Sequence, residues 1–229
     1  MFTIIESLRD SNFTSSQILA FVLAYVFALI IAFALHEFAH AFTAYKLGDP
    51  TPKALGRLTL NPFKHLDLFG IIAFFLVGFG WAKPVEVNPM NLKKYRRDMF
   101  LVSIAGVLTN IVLAFVFSGL YFLFLEVGTL SNSLMYFIYF FLQYSLLINV
   151  ALFIFNLIPI YPLDGFNVMK TAFRLSDKFL NFMYRYGSIL LIIFIITPLF
   201  DILYAEIKIE AECLLEYVEV CVNPQQTTD

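Results

Sequence analysis

Apolar residues run almost unbroken through four stretches of the chain, at about 18–47, 100–126, 133–160 and 187–204, and most charged residues fall between them. About 20 consecutive apolar residues carry a helix across the hydrocarbon layer, so each stretch predicts a transmembrane helix. The last is short and carries Pro198. "SNFTSSQ" ahead of the first offers Ser and Thr as helix caps. "EVGTLSNS" between the second and third is a short turn, which predicts an antiparallel helical hairpin.

A fifth stretch, "LDLFGIIAFFLVGFGWAKPVEVNP" (66–89), is ambiguous. Its apolar part, 68–82, is short for a span, carries Gly70, Gly78 and Gly80, and is rich in Ile, Val and Phe, which favours strand. Charge decides between the readings. If 66–89 does not cross, nine basic residues lie between the first two spans (Lys46, Lys53, Arg57, Lys64, Lys83, Lys93, Lys94, Arg96 and Arg97). Four more, Lys170, Arg174, Lys178 and Arg185, lie between the last two, so 13 of the 15 positive charges share one side. Only Arg9 and Lys208 fall opposite, and the positive-inside rule makes the crowded side cytoplasmic. The expected fold is therefore an all-α polytopic membrane protein with four transmembrane helices and a re-entrant β-hairpin or loop at 66–89. Such a loop is tolerated at depth only where protein or water satisfies its backbone.

Composition supports one membrane domain over 18–204, with a non-cytoplasmic segment at 1–17 and an acidic non-cytoplasmic tail at 205–229. The chain is 60% hydrophobic, only 14% charged, and has a mean hydropathy of +0.81. A soluble domain has about a quarter of its residues charged. The start lacks a small-residue cleavage signature, so the first span is expected to be its own insertion signal. With a net charge of −2 and no basic groove with interleaved aromatics, the expected surroundings are lipid and not nucleic acid. Cys213 and Cys221 lack metal or redox spacing and are too few for a disulfide scaffold.

Against this background "AFALHEFAHAF" (32–42) is anomalous. His36 and His40 are four residues apart and share a helix face. That spacing lets both imidazoles bind one zinc ion, with Glu37 placed to act as general base on a water there. A charged residue at the centre of a span costs about 2.5–3.5 kcal/mol, and no nearby Lys or Arg pairs with Glu37, so packing alone accounts poorly for it. A catalytic zinc takes three protein ligands and keeps one position open. The best third ligand is Asp164 in "NLIPIYPLDGFN" (156–167), where Pro159 and Pro162 end or unwind the third span. The first and third spans run in the same direction, so Asp164 falls at a depth similar to His40. His65, in the basic loop, reads as a surface or interface residue. Asn110 and Asn156 are polar residues within spans, placed either to contact substrate or to hydrogen-bond between helices.

"HEFAH", "NLIPIYPLDG", "SIAGVLTN" (103–110) and "GWAKPVEVNP" together resemble the site-2 protease family of intramembrane zinc metalloproteases, in its short form without PDZ or CBS domains. The resemblance covers about residues 20–170, and Val107 stands where that family usually has Pro. It implies one zinc held by His36, His40 and Asp164, with Glu37 as the base. It also implies a transmembrane protein as substrate, cut in or near the bilayer, and the charge distribution puts the site toward the cytoplasmic side. Gly78 and Gly80, with Asn110 and Asn156, would be substrate-binding. Two other readings remain at this point. One is a membrane zincin with a Glu as third ligand and soluble peptide substrates, though no later helix carries a matching motif. The other is an inactive relative that binds membrane helices.

Overall fold

The computed structural model describes residues 14–67, 70, 82–128 and 130–198. Its helices are α1 (Ser15–Lys46), α2 (Thr51–Ala54), α3 (Tyr95–Val127), α4 (Ser133–Asn156), α5 (Asp164–Ala172) and α6 (Asp177–Ile196), with single 3-10 turns at Pro62–Lys64 and Pro89–Asn91. α1, α3, α4 and α6 are each long and apolar enough to span a membrane. The protein is a multi-pass membrane protein.

α1, α3 and α4 pack against one another, and α5 packs on α3. The reason is written along α1. Ala20, Ala24, Ala28, Ala32, His36, His40 and Ala44 are all buried and recur every fourth residue. They form one ridge of small side chains in which two positions are imidazoles. In lipid, helices gain nothing from leaving water, so close approach over small residues drives their association. Ala24 packs on Phe140 of α4 beside Phe21, and Ala28 and Ala32 pack on Ile148. Phe21 meets the Phe140 and Tyr144 rings edge-on at 5.1 and 5.3 Å. The α3–α4 seam is built from Ala114, Tyr121, Leu142 and Leu146.

The spans differ in extent from the sequence expectation. α3 begins at Tyr95 and takes in Arg96 and Arg97. α4 stops at Asn156, ahead of Pro159. α6 begins at Asp177, ten residues before the expected 187. Ser176 caps it by accepting from the Phe179 N–H at 3.4 Å, so Lys178 and Arg185 lie within the helix. The polar first half, DKFLNFMYRYG, obscured that start. Gly187 lets α6 lie against Tyr161, since a Cβ there would come within 2.8 Å of the Tyr161 carbonyl oxygen.

The re-entrant β-hairpin or loop expected at 66–89 is corrected; of that segment, 68–69 and 71–81 lie outside the described residues. Among the described residues there is no β-strand; Leu66 and Ala82 form one isolated antiparallel bridge, without a ladder on either side. Ile, Val and Phe favour strand in water, but they also suit membrane-exposed helix, so composition there carried no strand signal. Gly78 and Gly80 lie outside the described residues, as do Cys213, Cys221, the tail from 205 and most of the segment 1–17.

Candidate metal centre

His36 and His40 project from the buried ridge of α1 and are 5% and 7% exposed. Beyond α4 the chain turns back through Pro159 and the cis Tyr161–Pro162 peptide, and α5 starts at Asp164. Gly165 permits the tight reversal, because a Cβ there would lie 2.3 Å from the Leu157 carbonyl oxygen. Phe166, fully buried between Tyr161 and Tyr184, anchors the turn. At the far end of α5 the Arg96 guanidinium donates to the Thr171 carbonyl at 3.0 and 3.2 Å. A cation there matches the negative end of the α5 dipole and ties α5 to α3.

The result is a triangle. His36 Nε2 and His40 Nε2 are 3.0 Å apart, and each is 3.1 Å from Asp164 Oδ2. Zinc bonds of about 2.0–2.1 Å in a tetrahedron put neighbouring ligands about 3.3–3.4 Å apart, so the three atoms need shift only by a few tenths of an ångström.

Hydrogen bonding shows which nitrogens are available. His40 Nδ1 lies 2.7 Å from the Val102 carbonyl oxygen, which only accepts, so Nδ1 carries the proton. Two side-chain amides set the orientation around His36. The Ser145 carbonyl accepts from Asn149 Nδ2 at 2.7 Å, so Asn149 Oδ1 faces Asn110 and accepts from its Nδ2 at 2.9 Å. Asn110 Oδ1 then accepts from His36 Nδ1 at 2.5 Å. In the neutral imidazoles, the form that binds a metal, both Nε2 atoms then present lone pairs to each other and to a carboxylate. Three acceptors converging without a donor suit a bound cation, and outer hydrogen bonds that fix the imidazole tautomer are the usual support of such ligands. The residues fit a single zinc site.

Room for the imidazoles comes from α3. A Cβ on Gly106 would stand 2.4 Å from His40 Nε2 and 2.6 Å from His36 Cε1.

Glu37 is half-buried, and its Oε2 accepts from the Val85 N–H at 3.0 Å. Val85 belongs to an irregular strap, 83–88, pinned by three of its own N–H groups. Lys83 donates to the His65 carbonyl at 2.7 Å, Val85 to Glu37, and Asn88 to Asp49 Oδ2 at 2.7 Å. Asp49, fully buried just past α1, also accepts through Oδ1 from Asn91 Nδ2 and from the Thr51 N–H and hydroxyl. Burial pushes its carboxyl up, but the Asn91, Thr51 and Asn88 donors outweigh that and hold it below the usual carboxylate range.

The other candidate residues lie as follows. Asn110 supports His36 and bridges to α4. Asn156 ends α4 and donates to the Leu152 carbonyl of its own helix at 3.0 Å. His65 is not a surface residue. It is fully buried, with Nε2 donating to the Thr59 carbonyl at 2.8 Å, because the loop folds back on itself and Arg57 reaches the Lys64 carbonyl. Two contributors escaped the sequence reading. Asn149 was detectable as a lone amide in the apolar "LLINVALF". Val85 acts through its main chain, which leaves no signature in side-chain identity.

The sequence profile of peptidase family M50 matches residues 24–137 and 127–194. "Putative zinc metalloprotease YwhC" of Bacillus subtilis is 41% identical over 182 residues, covering 76% of this chain and 80% of that protein. "Putative zinc metalloprotease Rip2" of Mycolicibacterium smegmatis is 32% identical over 187 residues, covering 76% and 68%. Its Mycobacterium tuberculosis namesake is 30% identical over 160 residues, covering 65% and 59%. No solved structure matches significantly. A buried His-His-Asp triangle, four membrane-spanning helices and these likenesses lead to one assignment: the chain belongs to peptidase family M50 and is an intramembrane zinc metalloendopeptidase of the site-2 protease type.

Proposed function

We propose that His36, His40 and Asp164 hold the zinc ion, that Glu37 is the general base, and that the substrate is a transmembrane segment of another protein, cut near the cytoplasmic boundary. The observation that carries this reading is the triangle of lone pairs beside Glu37, with both Nδ1 atoms committed to other partners. Bound zinc supplies the Lewis acidity that activates water and polarises a carbonyl. The chain supplies the rest. Val102 and Asn110 hold the imidazoles, and Glu37, next to His36 on α1, is positioned to take a proton from the attacking water. A peptide bond within a helix is shielded by its own hydrogen bonds, so the substrate must unwind locally before attack.

The cytoplasmic assignment rests on charge. The basic loops meet at the end of the bundle that holds the site, and thirteen of fifteen basic residues lie in or beside them. A complete His-Glu-His-Asp set favours an active enzyme over a helix-binding relative.

The test is Glu37→Gln in the full chain, with a model transmembrane substrate. Zinc content should stay at about one per chain while cleavage falls by ~10²–10⁴, the scale of lost general-base catalysis. His36→Ala, His40→Ala and Asp164→Ala should each lose zinc. Near-normal turnover by Glu37→Gln, or undiminished zinc in Asp164→Ala, would overturn the assigned roles. Single cysteines at Lys53 and Lys170 should react with impermeant reagents only from the cytoplasmic face, and one at Ser131 only from the other.

A further inference from the structure

Two stretches of the α1–α3 connection share a construction that the catalytic reading does not use. Asn61-Pro62-Phe63 and Asn88-Pro89-Met90 each form one 3-10 turn. In each, the Asn side-chain oxygen accepts from the N–H two residues on, at 3.1 Å, and Pro occupies the first turn position. Proline fixes its φ there and needs no N–H partner. Both turns thus hold their third residue outward. Phe63 is 80% and Met90 89% exposed, more than any large hydrophobic on the four spans, where Ile196 at 75% comes next.

The surroundings say what meets these side chains. Leu55 and Leu60 are also exposed. Lys64, Lys83, Lys93 and Lys94 are exposed and have no carboxylate within ion-pair distance among the described residues, and Glu86 is the only exposed acid in 47–67 and 83–94. Both turns are tied to the end of α1. Asn88 and Asn91 bind Asp49, and the Pro62–Lys64 turn reaches the strap through His65 and Lys83. α1 has 32 residues, or about 48 Å at 1.5 Å per residue. A bilayer with its headgroups is about 40–45 Å thick. The end of α1, and both turns with it, therefore emerge among headgroups. Apolar tips beside unpaired lysines match an anionic lipid surface in shape and charge.

We propose that the Asn61–Phe63 and Asn88–Met90 turns are paired membrane-surface anchors. Phe63 and Met90 enter the boundary between headgroups and acyl chains, and Lys64, Lys83, Lys93 and Lys94 bind anionic phospholipid headgroups. The anchors bracket the strap whose Val85 N–H meets Glu37, so they fix its depth relative to the bilayer.

The test uses the full chain with Trp81→Phe, which removes its single tryptophan, and then Phe63→Trp or Met90→Trp. Each variant is reconstituted in phosphatidylcholine vesicles with and without phosphatidylglycerol, with bromine on the upper acyl chain. The expected result is blue-shifted emission, strong quenching by bromolipid and weak quenching by iodide at both positions. Bromolipid quenching should strengthen with phosphatidylglycerol, and replacing the four lysines by serine should abolish that increment. Water-like emission open to iodide would overturn the proposal. Blue-shifted emission that bromolipid leaves unquenched would also overturn it, marking a protein partner or a second copy at the turns. Equal quenching in both lipid mixtures would overturn the lysine–headgroup contact.

Discussion

Glu37 Oε2 accepts a hydrogen bond from the main-chain N–H of Val85, 48 residues further along the chain. A carboxylate on a helix has several rotamers, and a donor outside that helix selects one. The donor is a main-chain group, so most substitutions of Val85 leave it in place. Proline removes it. Val85→Pro should lower kcat by roughly tenfold or more, the scale of one lost hydrogen bond to a charged group of about 1.5–3 kcal/mol, with KM and zinc content little changed. Val85→Ala should behave like the parent. Matching kinetics for the two variants would show that the contact does not orient Glu37.

Gly106 offers a second test. Gly→Ala inside a helix ordinarily stabilises by about 1 kcal/mol. Here the new Cβ would stand 2.4 Å from His40 Nε2. Gly106→Ala should therefore lose zinc, because both imidazoles must swing away from the new methyl, and that crowding should offset the helix-propensity gain so that the Tm of the metal-free protein does not rise. Zinc retained at full occupancy would mean that the ligand triangle tolerates a methyl at this position.

The amide relay predicts a graded effect. Asn110→Leu removes the group that accepts from His36 Nδ1 and should weaken zinc binding by about 10–100-fold, as for other outer partners of metal ligands. Asn149→Leu leaves that acceptor but frees the Asn110 amide to rotate, so its loss should be smaller, about tenfold. Competition with a chelator measures both. A loss from Asn149→Leu exceeding that from Asn110→Leu would contradict the order of the relay.

Asp49 gives a pH dependence. Its folded carboxyl titrates below the ordinary range of about 3.9, held there by Asn91, Thr51 and Asn88 against the effect of burial. The unfolded chain then binds the proton more readily. The stabilisation is complete above the unfolded value and disappears as pH falls through the lower folded value. Proteolysis within 47–67 should become faster as pH drops below about 4. Asp49→Asn, already neutral, should cleave faster at neutral pH and lose most of that acid-dependent rise. An unchanged acid profile in Asp49→Asn would assign the titration to another group.

Much of this site was legible because its chemistry conflicts with its solvent. Two imidazoles and a carboxylate in an apolar run stand out, and "HEFAH" and the Asp164 turn pointed to the three groups that converge. The supporting shell was less legible. Asn110 was visible as a polar residue in a span, but its contact with His36 depends on how α1 and α3 pack. His65 sits among basic loop residues and is nevertheless buried, since main-chain carbonyls such as Thr59 O have no sequence signature. The start of α6 was missed because Lys178 and Arg185 read as loop, although long basic side chains near a helix end can extend to the membrane surface. The strand expectation at 66–89 rested on Ile, Val and Phe, which membrane-spanning helices use as freely as strands do, so that composition did not single out a strand.

The every-fourth-residue ridge of α1 separates shape from chemistry. His36 and His40 occupy two teeth of a rack otherwise cut from alanine, and Gly106 is the notch they mesh with. Alanine at both teeth, with a larger residue filling the notch, would restore an uninterrupted rack against the same neighbouring helices. This architecture can therefore shed its metal and remain a membrane protein of the same form. A metal-free version with an unbroken ridge lies three substitutions away, and helix packing alone does not distinguish it from the catalytic one.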